Sequence, residues 1–202
     1  MRFVYAAALL AAAAAPVLAQ APGLPGSSDR SVVKAGTYQV DPAHTQVTWT
    51  VNHMGFSMLS GQFGAGSGSI TLDPAKPAAT KVDVTFPVDQ LSVTAAPFAN
   101  HLKSKDFFDV ANNPTARFVS TQVTPMGDHW MMNGNLTLKG VTKPVSLTVR
   151  FVGAGTNPMS KKVNFGFHAT GSINRSDFGL GYAVPAVSDK VDLAINAAFT
   201  QG

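Results

Sequence analysis

A period of two runs through most of the chain and limits its fold more than any other feature. Val47, Trp49, Val51 and His53 alternate with Thr48, Thr50 and Asn52. Val82, Val84, Phe86 and Val88 alternate with Lys81, Asp83, Thr85 and Pro87. The same pattern recurs over Val145–Phe151, Val163–Ala169 and Val191–Phe199. Successive side chains on a strand point to opposite faces, so each run has one apolar and one mainly polar face. That is the pattern of an antiparallel sheet wetted on one side.

Three further segments read as strands. Gln62 to Leu72 is extended but carries Gly64, Gly66 and Gly68, residues that mark bends or bulges inside a strand. Phe118 to Val123 is β-like with an ambiguous inward face, and Trp130, Met132, Gly134, Leu136 and Leu138 form another run. Turn signals such as Asp73-Pro74, Lys139-Gly140 and Gly153-Ala154-Gly155 separate the runs, giving about eight strands. Ala95 to Phe108 alone competes as helix, with Phe98, Leu102 and Lys105 at helical spacing and Thr94 as an N-cap before Pro97. The expected fold is all-β: an eight-stranded antiparallel barrel with a short helical insertion between strands. A β-sandwich is the rival; long strands and a glycine-rich bend favour closure, which removes sheet edges.

The first residues stand apart from this pattern. Arg2 precedes the apolar run Val4 to Ala15, and Val17-Leu18-Ala19 offers small residues for cleavage, the layout of a secretory signal peptide over residues 1–19. A run of this length is too short for a bilayer, which needs roughly 20 residues. Residues 20–36, rich in Gly, Pro and Ser, read as a flexible lead. The barrel domain then spans 37–202.

The chain has no cysteine, which excludes disulfides, thiol catalysis and thiolate metal sites. Its net charge of +4 comes without a basic cluster beyond Lys161-Lys162, so no nucleic-acid partner is expected. His44, His53, His101, His129 and His168 form no HxH or HExxH pattern, and no metal is expected. No GxSxG elbow or phosphate loop is present, and the aspartates sit mostly in turns or on polar faces. What stands out is 13 Phe and two Trp in a chain only 13% charged. Such residues suit a cavity for a lipid-like ligand, worth about 0.8 kcal/mol per buried CH₂. Whether the barrel is hollow or filled by its own side chains stays open at this point.

Four blocks carry a family resemblance. Tyr38-Gln39-Val40-Asp41-Pro42-Ala43-His44 with Trp49-Thr50-Val51-Asn52-His53 resembles the opening of the YceI-like family. His101-Leu102-Lys103-Ser104-Lys105-Asp106-Phe107-Phe108-Asp109, Gly134 to Val145 and Ile173 to Leu180 are similar to its later blocks. The resemblance covers Tyr38 to Phe199. It implies a lipocalin-like barrel in the bacterial periplasm that binds a polyisoprenoid, isoprenoid quinone or similar amphiphile non-covalently, without catalysis, metal or cofactor. One departure is that Phe98-Ala99-Asn100 stand where the family often has an Arg-Asp pair.

The expected cavity wall is Val47, Trp49, Val51 and His53, with Phe98, Leu102, Phe107 and Phe108 from the insertion and Phe165 and Phe167 opposite; ordinary core packing is the alternative for each. His53 is the candidate hydrogen-bond partner for a ligand oxygen. Arg175 and Asp177 read as a structural pair near a turn. An enzyme acting on a hydrophobic substrate through His44, His53 or His101 with Asp106 is the competing function, and a solid barrel serving as an interaction module is a third. No membrane span is expected. The oligomeric state is left open, a dimer among the options.

Overall fold

The computed structural model describes residues 23–202; the expected signal peptide and the start of the lead lie outside them. Ten strands form one antiparallel sheet: β1 Gly36–Val40, β2 Gln46–His53, β3 Ser57–Gly64, β4 Ser67–Leu72, β5 Lys81–Pro87, β6 Thr115–Pro125, β7 Trp130–Leu138, β8 Val141–Thr156, β9 Val163–Asn174 and β10 Lys190–Gln201. β1 and β2 both run antiparallel to β10, β1 against Phe199–Gln201 and β2 against Asp192–Asn196. They are therefore two halves of one broken strand. β3 and β4 are likewise two halves of the next, paired to β2 and β1. Counted this way, the sheet is a closed eight-stranded barrel in up-and-down order, the count read from the periodic runs.

The breaks have visible causes. Between β1 and β2 the chain leaves the ladder at Asp41–Thr45, where Thr45 exchanges hydrogen bonds with the Ala198 backbone (3.0 and 3.2 Å). Between β3 and β4, Gly66 donates to the Thr85 carbonyl (2.9 Å), and a Cβ at Gly66 would touch the Pro87 ring. β1 is too short to stand out in the sequence; it exists because β4 and β10 pair it on both edges.

A bulge resolves the ambiguous segment. Register shifts between Ser120 and Gln122, so Ala116 and Phe118 point inward before it and Val123 after it. A second bulge between Phe151 and Gly153 resets β8, bringing Ala154 into the core.

The helix α1, Ala96–Lys103, is shorter than the expected Ala95–Phe108, and its N-cap is Ala95 rather than Thr94, with no side-chain cap bond. Pro97 lies in its first turn, where a missing N–H costs nothing. Phe107 and Phe108 follow in hydrogen-bonded turns.

The lead departs from the expected flexible chain. β8 extends past the start of β7, which pairs only from Val149, and this leaves one edge of β8 unpaired. Ser27 occupies that edge, donating to the Ala154 carbonyl (2.9 Å) and accepting from its amide (2.8 Å). Val33 is buried with Tyr38, Phe165 and Phe199. Residues 23–35 thus form a strap across one end of the barrel.

Candidate ligand-binding cavity

The inward faces of the strands enclose a cavity of about 730 Å³ that runs the length of the barrel. Side chains such as Phe167 and Ile195 lie on its wall yet are only partly buried, as they would not be in a filled core. All ten residues expected on the wall are there: Val47, Trp49, Val51, His53, Phe98, Leu102, Phe107, Phe108, Phe165 and Phe167. Phe63, Phe86, Phe118 and Trp130 also line it, although none is among the expected wall residues; Phe86 and Trp130 lie on periodic apolar faces. Phe63 and Phe118 lie in segments with glycine or a bulge, where alternation alone does not fix the inner face.

Polar wall residues are confined to the two ends, apart from Thr45, which is spent on the Ala198 backbone. One end is formed by the β2–β3 turn, α1 with its flanking turns, Lys139-Gly140 and the connection 175–189. His53, His101, Arg175 and Tyr182 line it. The rings of His101, Phe107 and Tyr182 pack mutually, with centroids 5.0 to 5.5 Å apart. The other end carries the strap and the connections 73–80, 126–129 and 157–162, with Arg30, Asp73 and Thr80 on the wall.

Arg175 is structural, but Asp177 is not its partner. The guanidinium is buried and donates to the carbonyls of Ser188, Leu180, Tyr182 and Val187. Burial lowers its pKa, and Asp189 nearby opposes that shift. Asp189 accepts from the Ser176 hydroxyl and amide, which hold its own pKa below the ordinary carboxylate value. Arg175 therefore ties the 175–189 connection around one mouth.

The histidines are dispersed. His44 bonds Asp41 in an exposed loop and is absent from the cavity wall, while His101 lies 3.7 Å from Asp106. His168 bonds Asn196 on the outer face (3.0 Å). Among the described residues, no three His, Cys, Asp or Glu side chains gather as metal ligands, and no helix is long and apolar enough to cross a membrane.

A hollow, closed, eight-stranded antiparallel barrel with an apolar wall defines the class: a lipocalin-like barrel. The chain belongs to the YceI-like family, whose domain matches residues 38–199. It is 38% identical over 169 residues to protein YceI of Escherichia coli O157:H7, covering 83% of this chain and 88% of that one. A UPF0312 protein of Pseudomonas aeruginosa is 36% identical over 164 residues, covering 80% and 85%. Among solved structures, Burkholderia cenocepacia BcnA superposes with a TM-score of 0.68 at 26% identity, over 79% of this chain and 98% of that one. A polyisoprenoid-binding domain from Saccharophagus degradans has a TM-score of 0.60 at 11% identity, over 82% and 98%, a likeness of fold.

Proposed function

We propose that this protein holds a polyisoprenoid, an isoprenoid quinone or a similar amphiphile inside its barrel, as a binding protein of the periplasm rather than an enzyme. The observation that carries this is the cavity: about 730 Å³, continuous between the two ends and apolar between them. That volume lies within the range of small-molecule sites. An apolar interior of this size gives water few hydrogen-bond partners, so an apolar chain is the better occupant. Each CH₂ transferred from water contributes about 0.8 kcal/mol, so a long tail binds without a charged anchor. The ten wall residues named from the sequence are the proposed contacts. Export rests on the signal-peptide pattern of residues 1–19. The polyisoprenoid-binding domain from Saccharophagus degradans shares the fold, which supports the reading.

The test is titration of delipidated protein with prenyl alcohols of increasing length. Affinity should rise with each isoprene unit until the cavity is full. An affinity independent of tail length would contradict the proposal.

A further inference from the structure

The two ends of the cavity differ in charge, and the difference centres on one side chain. Arg30, on the strap, places its guanidinium 4.8 Å from the centroid of Trp130 and 5.0 Å from that of Phe151. It is exposed, lies on the cavity wall, and has no ion pair or side-chain hydrogen bond among the described residues. A guanidinium held over aromatic faces keeps its N–H fork free for a further partner. The strap is fixed on both sides of it. Ser27 is bonded to Ala154, Asp29 accepts from the Ser31 amide (2.8 Å) and hydroxyl (2.8 Å), and Val33 is buried.

The surroundings are cationic. Lys34, Lys76, Lys81, Lys161 and Lys162 stand at this end, and none has an ion-pair partner among the described residues. The acids there are already engaged. Asp29 caps the strap, Asp73 accepts from the Ala75 amide (2.9 Å), Asp83 pairs with Arg117, and Asp128 is held by His129 and Arg150. Asp73 alone of these lies on the wall. The opposite end has no such excess: Lys103, Lys105, Lys139, Lys143 and Lys190 share it with Asp89, Asp106, Asp109, Asp177, Asp189 and Asp192. The arginine on the cavity wall there, Arg175, is occupied by four backbone carbonyls.

We infer that the strap end is a headgroup site for anionic amphiphiles. Arg30 binds a phosphate or carboxylate there, and the tail runs through the barrel toward α1. This rests on the binding function proposed above and adds the headgroup class and the orientation. Charge-assisted hydrogen bonds from a guanidinium are about twice as strong as neutral ones.

The experiment compares geranylgeranyl phosphate with geranylgeraniol, which has the same tail, using tryptophan fluorescence at low salt; Trp130 lies directly beneath Arg30. Retinoic acid against retinol repeats the comparison for a carboxylate. The wild-type protein is expected to prefer each acid over its alcohol by about tenfold. The preference should fall toward one in Arg30→Gln, survive in part in Arg30→Lys, and shrink with added salt. Equal binding of acid and alcohol by the wild type, or an undiminished preference in Arg30→Gln, would overturn the headgroup site while leaving the tail-binding cavity standing. If neither the acids nor the alcohols bind, the binding function itself fails. Retention of Ser27–Ala154 pairing, followed by amide exchange, confirms that the variants keep the strap in place.

Discussion

Trp49 lies against Gly61, its partner across the β2–β3 ladder, and no larger residue fits between the strands' inner faces at that point. A Cβ at Gly61 would stand 2.6 Å from Cε2 of the indole and 2.7 Å from Cγ1 of Val93. Gly61 is thus what lets a tryptophan lie flat on the cavity wall. Gly61→Ala should cost about 1–3 kcal/mol through overpacking, read by urea denaturation, because the indole is hemmed in by Val93 and has to shift as a whole.

The indole N–H of Trp49 is buried without a hydrogen-bond partner. An unpaired buried donor costs about 1–3 kcal/mol. Trp49→Phe removes the donor and keeps most of the apolar surface, so stability should stay within about 1 kcal/mol of wild type. Trp49→Ala should lose about 3 kcal/mol. Paired denaturation curves check both; a Trp49→Phe loss as large as that of alanine would mean that the N–H is bonded after all.

Arg175 holds four carbonyls of the 175–189 connection from within. Arg175→Met keeps the apolar stem but leaves those acceptors without their donor. The expected cost is about 3–5 kcal/mol, measured by thermal unfolding, with faster amide exchange over 175–189.

Ile195 sits between Val47 and Ala169 on its neighbouring strands, two small residues on the same inner wall. A larger side chain there has the cavity to grow into. Ile195→Trp should weaken binding of a long prenyl alcohol at least about tenfold while leaving stability within about 1 kcal/mol. A filled core would give the opposite pairing, a clear loss of stability.

Much of this was legible in the sequence because a barrel wall is written in alternation. Val47, Trp49, Val51 and His53 share one phase, and pleating forces them to one side. The family domain matches residues 38–199, the span over which the sequence blocks carry the resemblance. Alternation fails where the phase resets, so the bulge after Ser120 hid the inner face of Phe118. Gly134, opposite Ser120 and diagonal to Phe118, is glycine for a steric reason, since a Cβ there would strike the Phe118 ring. The strap was read as free chain because Gly, Pro and Ser suit a linker and an edge-packed segment equally well. What holds it is the overhang of β8 beyond β7, a tertiary fact no local pattern carries. The partners of Arg175 are backbone carbonyls from a loop, and these leave no signature in residue type.

Native mass spectrometry of the protein recovered from its own cells, followed by organic extraction, is the most direct test of a hollow barrel that holds a lipid. One isoprenoid-like molecule per chain, released on extraction, is expected. Protein that comes out empty, and that takes up no prenyl lipid when offered it, would contradict lipid binding in the barrel.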